Sequence, residues 1–225
     1  KGFLEESIIA ERMFGVFIYV KTLLILSFKN LKVYLILQSI LDSITCFIIY
    51  KIGNLIFPKQ KLFIYLSAVL SPLMIILSSQ VLSETIFLLF FTLFLYFSVK
   101  IMIVKNNIFY TIAMAGLFLG FSTTIRSITY PLIYLSVLPF IIILIENNVS
   151  KFKIFFSCLI FLFFSLLPIS SKLYENIKVY HTFSLTSQSG IHLAYWVAPL
   201  IISETKNLNR TEAIKVVDEI ANKYT

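Results

Sequence analysis

Long apolar runs separated by short polar links make up most of the chain. Six runs reach the roughly 17–25 residues needed to cross a bilayer as helix: Val33–Phe57, Leu62–Ser79, Val81–Val104, Ile108–Thr124, Ile128–Ile145 and Phe152–Ile169. Asp42, Glu84 and Lys100 are nearly the only charges inside them. A seventh run, Phe14–Phe28, is shorter and carries Lys21 at its middle, with Lys29 and Lys32 at its exit. That pattern reads as a helix over residues 12–28 lying in the outer interface, with Lys21 reaching to the headgroups, in preference to a seventh span that would return the N-terminus to the cytoplasm. From Ser170 the character changes to polar and mixed in charge, with both histidines and the single tryptophan. Its end, Asn209–Tyr224, reads as an amphipathic helix: Asn209 and Glu212 stand at capping-box spacing, and Ile214, Val217, Ala221 and Tyr224 recur at helical intervals. The expected fold is therefore all-α, a polytopic transmembrane helix bundle over residues 1–169. Residues 170–225 are the start of an extracytoplasmic domain.

Composition strengthens this picture. Apolar residues make up 59% of the chain, charged residues 13%, and Phe occurs 23 times. Mean hydropathy is +0.92. Such a chain has no polar face to wrap around a water-soluble core, so lipid must be its main solvent. The net charge of +8 does not imply nucleic acid, because the lysines sit in the links between apolar runs, where membrane topology places them. Cys46 and Cys158 lie inside apolar runs and read as small packing residues. The chain starts at Lys1 and ends at Thr225 inside a helical pattern, and is expected to be a piece of a longer protein.

The lysines also set an orientation. Lys51, Lys59 and Lys61 follow the first span, Lys100 and Lys105 the third, and Lys151 and Lys153 the fifth. The intervening links hold only Ser78-Ser79-Gln80 and the single charge of Arg126. The positive-inside rule puts the lysine-rich links in the cytoplasm. Six crossings then leave the N-terminal segment and everything after Ile169 outside.

Few residues here can do chemistry. Glu84, in Gln80-Val-Leu-Ser-Glu-Thr85, falls at the outer mouth of a span. It reads either as a carboxylate lining an outward-facing site or as a helix N-terminal charge capped by Ser83. Arg126, at the outer end of another span, can grip a phosphate bidentately or simply snorkel to the interface. Its outer position runs against the positive-inside bias. Gly116 and Gly120 are spaced for close helix packing. Asp42 is deep enough that it should face protein, hydrogen-bonded to Ser39 or to a neighbouring helix. Gln188 and Ser189, in Ser187-Gln-Ser-Gly-Ile-His192, offer polar groups to a sugar, or are an ordinary loop. His181 and His192 lack zinc-ligand spacing, and Glu5, Glu6 and Glu11 read as a solvated charge cluster. Neither GxxxxGK[ST] nor GxGxxG occurs.

Taken in order, these stretches carry a resemblance. Leu70-Ser-Pro-Leu-Met-Ile-Ile-Leu-Ser-Ser-Gln-Val-Leu-Ser-Glu-Thr-Ile-Phe87 resembles the signature of the polytopic GT-C glycosyltransferases, including the protein mannosyltransferase-like and aminoarabinose transferase-like families. Ala115–Arg126, Gln38–Gly53 and Leu167–Asn176 resemble further stretches of the same pattern, together covering about Phe14 to Tyr195. The resemblance implies transfer of a sugar from a polyprenyl-phosphate-linked donor to a lipid, glycan or protein acceptor on the outer face of the membrane. By it, Glu84 matches an acidic catalytic position near the acceptor. Arg126 matches a basic position suited to the leaving phosphate, and Gln188 and Ser189 fall in the exit toward the outer domain. The family's main catalytic acid belongs to a first outer loop not represented here, so this piece alone is expected to be inactive. Glu175 stands where the family commonly has Arg. No cofactor is required by this reading, although a divalent cation has a place in it. The alternative is a non-enzymatic lipid-linked sugar flippase or transporter, whose marks would be charged or broken helices at the membrane midplane and repeat symmetry. Neither mark is legible in the sequence.

Overall fold

The computed structural model describes residues 13–103, 107–185, 197–206 and 208–224, and no strand occurs among them. The described helices are α1 (Phe14–Leu26), α2 (Leu31–Ile56), α3 (Lys61–Val69), α4 (Pro72–Ser78), α5 (Glu84–Ile103), α6 (Ile108–Ile125), α7 (Tyr130–Leu135), α8 (Val137–Glu146), α9 (Lys151–Leu166), α10 (Ser170–Tyr180), α11 (Ala198–Lys206) and α12 (Arg210–Tyr224). Five helical stretches are long and apolar enough to cross a membrane: Leu31–Ile56, Glu84–Ile103, Ile108–Ile125, Ser127–Glu146 and Lys151–Val179. The pair α3 and α4 makes a sixth if taken as one broken span. The fold is an all-α polytopic bundle.

Helix α6 is the centre. Ten of its residues are buried, among them Ala115, Gly116, Leu119 and Gly120. On one side α5 packs antiparallel to it, with Phe97 stacked on Phe118 and Phe90 on Phe121. On the other side α9 runs parallel, because Gly116 meets Phe161 and Gly120 meets Ser165 at the same sequence offset. A Cβ on Gly116 would lie 2.6 Å from the Phe161 carbonyl oxygen, and one on Gly120 would strike that of Ser165. Backbone-to-backbone approach of this kind lets helices associate in lipid by dispersion contacts, without a hydrophobic driving force. Helix α2 packs on the far side of α5 and carries α3 along its other flank.

The surface confirms what the solvent is. Phe63 and Phe152 are 74% and 72% exposed, while Thr85, Ser122, Thr123, Ser157 and Ser165 are almost wholly buried. Large apolar side chains face outward and small hydroxyl residues face the helix contacts, as lipid demands. Cys46 and Cys158 are both free thiols.

Two features depart from the sequence expectation. The run Leu62–Ser79 is not one straight span. It breaks between α3 and α4 with a bend of 47°. Pro72 removes an N–H and forces Ser71 into extended backbone (φ −63°, ψ 118°), so a new helix begins at the proline. The run after Lys151 does not end at Ile169. A 3₁₀ turn over Leu167–Ile169 passes directly into α10, so the helical path continues to Tyr180.

Helix α1 packs at one end of the bundle only. Gly15 sits against Thr124, and Tyr19 and Leu23 pack with Tyr34 of α2 and Ile86 of α5. Farther along, the capping box of α12 is complete: the Glu212 N–H donates to Asn209 Oδ1 (2.9 Å) and the Asn209 N–H to Glu212 Oε2 (3.1 Å).

Candidate functional site

Helix α5 begins at Glu84 because α4 ends at Ser78 and the turn at Ser79–Ser83 redirects the chain, and Phe87 N–H finds the Ser83 carbonyl (3.1 Å). Ser83 does not cap with its side chain; its hydroxyl lies 3.5 Å from Glu84 Oε2. Helix α6 ends at Arg126, whose N–H donates to the Ser122 carbonyl (3.0 Å) while its backbone turns extended. The Arg126 carbonyl accepts from the Thr129 hydroxyl (3.0 Å), which also contacts Thr123 Oγ1 (2.9 Å). Antiparallel packing of α5 on α6 then brings the two helix ends together, and Arg126 forms an ion pair with Glu84. The guanidinium also lies 5.7 Å from the Phe87 ring centroid, a cation–π distance. Both side chains are reachable from outside, at 44% for Arg126 and 25% for Glu84.

Beside the pair lies an apolar pocket of about 300 Å³, walled by Phe14, Ile18, Ile86, Phe90, Phe121 and Ile125 among others. Ile125 and Ile86 stand within two residues of Arg126 and Glu84, so the pocket adjoins the charges. The site thus offers a carboxylate, a guanidinium and an apolar recess at one end of the bundle. Chemically it can orient a hydroxyl or amine, hold an anion, and accommodate an aliphatic chain.

Asp42, on α2, meets Thr85, the residue next to Glu84. Its Oδ2 accepts from the Thr85 hydroxyl (3.3 Å), so the neighbouring helix and not Ser39 is its partner. Ser39 donates instead to the Leu35 carbonyl (2.9 Å). One turn earlier, Gln38 donates through Nε2 to the carbonyls of Leu77 (2.9 Å) and Gln80 (2.6 Å). Those two bonds tie α2 to the turn that leads into Glu84.

Lys172 was not singled out by sequence reasoning. It is 2% exposed and lies one helical turn beyond Pro168, which packs on Gly120, so it belongs to the Arg126 end of the bundle. The signal was available: a lysine between the apolar Ile169 and Leu173 inside a helical run. Asn176 donates to the Ser184 (2.6 Å) and Leu185 (3.1 Å) carbonyls and pins the chain after α10. Gln188, Ser189, His192, Lys105, Glu5, Glu6 and Glu11 lie outside the described residues. Among the described residues no group of three acidic, His or Cys side chains converges on a metal position.

Fold and composition define the class: a multi-pass membrane protein with a charged pair at one end of its bundle. No protein-family model matches the chain, and no curated protein or solved structure resembles it.

Proposed function

We propose that the full-length protein is a membrane glycosyltransferase that moves a sugar from a polyprenyl-phosphate-linked donor to an acceptor at the outer face of the membrane. The observation that carries this reading is the Glu84–Arg126 pair, part-exposed beside an apolar recess. A donor of this class has an aliphatic chain, a phosphodiester and a sugar. The recess suits the chain, the guanidinium suits the phosphate, and the carboxylate is left for the acceptor. The acceptor oxygen or nitrogen attacks the anomeric carbon, and the bond from that carbon to the phosphate oxygen breaks. The acceptor's proton passes to a carboxylate, for which Glu84 is the described candidate. Polyprenyl phosphate departs with one more negative charge, which Arg126 stabilises. An ion pair at this exposure contributes about 0.2–1 kcal/mol, so an incoming phosphate can displace Glu84 from Arg126 and free it.

Glu84→Gln and Arg126→Ala in the full-length protein should each lower transfer of a radiolabelled sugar by about 10²–10⁴-fold. Unchanged turnover in either variant removes that residue from the reaction. The break between α3 and α4 supports a second reading, a lipid-linked sugar flippase or transporter. Translocation of the lipid-linked sugar in vesicles without formation of a glycosidic bond would select it.

A further inference from the structure

Six buried side-chain polar atoms lack a close hydrogen-bond partner among the described residues, and four of them belong to α1 and α2. They are the hydroxyls of Tyr19 and Tyr34, Oε1 of Gln38 and Oδ1 of Asp42. Tyr34, Gln38 and Asp42 recur every fourth residue, so they stack along one face of α2 at about 6 Å per step. Tyr19 packs against Tyr34 and lies within electrostatic reach of Asp42. Asp42 is 6% exposed and Gln38 and Tyr34 are fully buried. Buried polar groups in folded proteins are nearly always paired, with protein, water or an ion. The Tyr19 and Tyr34 hydroxyls interact with each other, which leaves two acceptors one turn apart, Gln38 Oε1 and Asp42 Oδ1, to mark a place where something else binds.

The pairing already in place says what that is. Both hydrogens of the Gln38 amide are committed to the Leu77 and Gln80 carbonyls, so Oε1 cannot be exchanged for a donor without losing both bonds. Thr85 gives its only proton to Asp42, and Thr45 gives its own to the Leu41 carbonyl (3.0 Å). Beside Asp42 a cleft of about 220 Å³ is lined by Ser39, Ser43, Ser78 and Tyr65, with Val69 at the end of α3. Ser39, Ser43 and Ser78 also donate to backbone carbonyls. The region therefore presents oxygen lone pairs and one negative charge. The break after α3 puts the negative end of that short helix at the cleft, where Val69 lines the wall. Discontinuous spans bind alkali ions in this way. A single carboxylate among neutral oxygens matches one positive charge, and the cleft has room for several waters at about 30 Å³ each.

We propose that Asp42 and Gln38 Oε1 form the core of an intramembrane site for an alkali cation, with water from the cleft beside Asp42 completing its shell. The site is separate from the Glu84–Arg126 pair and stands whether or not that pair transfers a sugar. The test is binding of radioactive sodium to the full-length protein in detergent, in choline buffer, by scintillation proximity. Wild type is expected to bind saturably, with competition by lithium or potassium reporting size selection. Asp42→Asn should lower binding at least tenfold, and Glu84→Gln should leave it unchanged. Absence of saturable binding in wild type, full binding by Asp42→Asn, or loss of binding in Glu84→Gln overturns the proposal. A second measurement needs no change at the site. Cys46, one turn beyond Asp42 on the cleft wall, should react more slowly with a small maleimide in sodium than in choline, while Cys158 reacts equally in both. Equal rates at Cys46 overturn the proposal as well.

Discussion

Arg126 is placed by backbone before it is placed by charge. Its carbonyl is held by the Thr129 hydroxyl, and Thr129 is itself buried against Thr123. Thr129→Val leaves that carbonyl short of one bond and should destabilise the protein by about 1 kcal/mol, readable as a lower unfolding midpoint in detergent. If the proposed transfer holds, the same variant should raise KM for the lipid donor more than it lowers kcat, because the guanidinium is displaced and not removed. Gln38 is a second residue with more than one duty. Gln38→Leu strips the Leu77 and Gln80 carbonyls of their donor. A penalty of about 1–3 kcal/mol is expected, with faster proteolysis at the turn before Glu84. A variant as stable as wild type would show that water replaces the amide.

At the scale of elements, the decisive contact is α6 on α9. Gly116 and Gly120 allow it because nothing but hydrogen stands between the two backbones. Gly116→Ala and Gly120→Ala should each cost about 1–3 kcal/mol through overpacking. Gly120→Ala should be the worse of the two, since its methyl group would meet both the Ser165 carbonyl and the Pro168 ring. Reversible unfolding in mixed micelles measures both. The glycine spacing was visible in the sequence. Which helix it would meet was not, because that depends on α9 returning parallel to α6 after an intervening span. The same holds for the break between α3 and α4: Pro72 is plain in the sequence, yet a proline in an apolar run can kink a helix or restart one. The backbone at Ser71 decides for a restart.

For the molecule as a whole, the packing directions gather the lysine-rich turns at one end and Glu84, Arg126 and Gln80 at the other. The positive-inside rule makes the lysine end cytoplasmic. Single cysteines placed at Gln80 and at Lys59 in a background lacking Cys46 and Cys158 test this. A membrane-impermeant maleimide should label the first in intact cells and the second only after permeabilisation. The reverse pattern would put the ion pair on the cytoplasmic face and end the proposed outer-face transfer. Helix α1 follows the same logic. Its Gly15 and Tyr19 contacts lie at the Glu84–Thr124 end of the bundle.

Length, composition and the spacing of apolar runs were enough to determine an all-α bundle in lipid, the approximate limits of its spans and the capping box at Asn209. These depend on local periodicity and on the cost of burying backbone polar groups in hydrocarbon, and both are written residue by residue. Glu84 and Arg126 could be named as candidates from their rarity at span ends, since a charge there is expensive without a partner. That they are each other's partner was decided only in three dimensions, by the antiparallel register of α5 on α6. Asp42 shows the same limit more sharply. Sequence proposed Ser39 or a neighbouring helix for its bond, and the register of α2 against α5 chose Thr85. The burial of Gln38 and Asp42 is likewise a tertiary outcome, set by the packing of α2 against α5 and the turn before it, which no local pattern in the chain encodes.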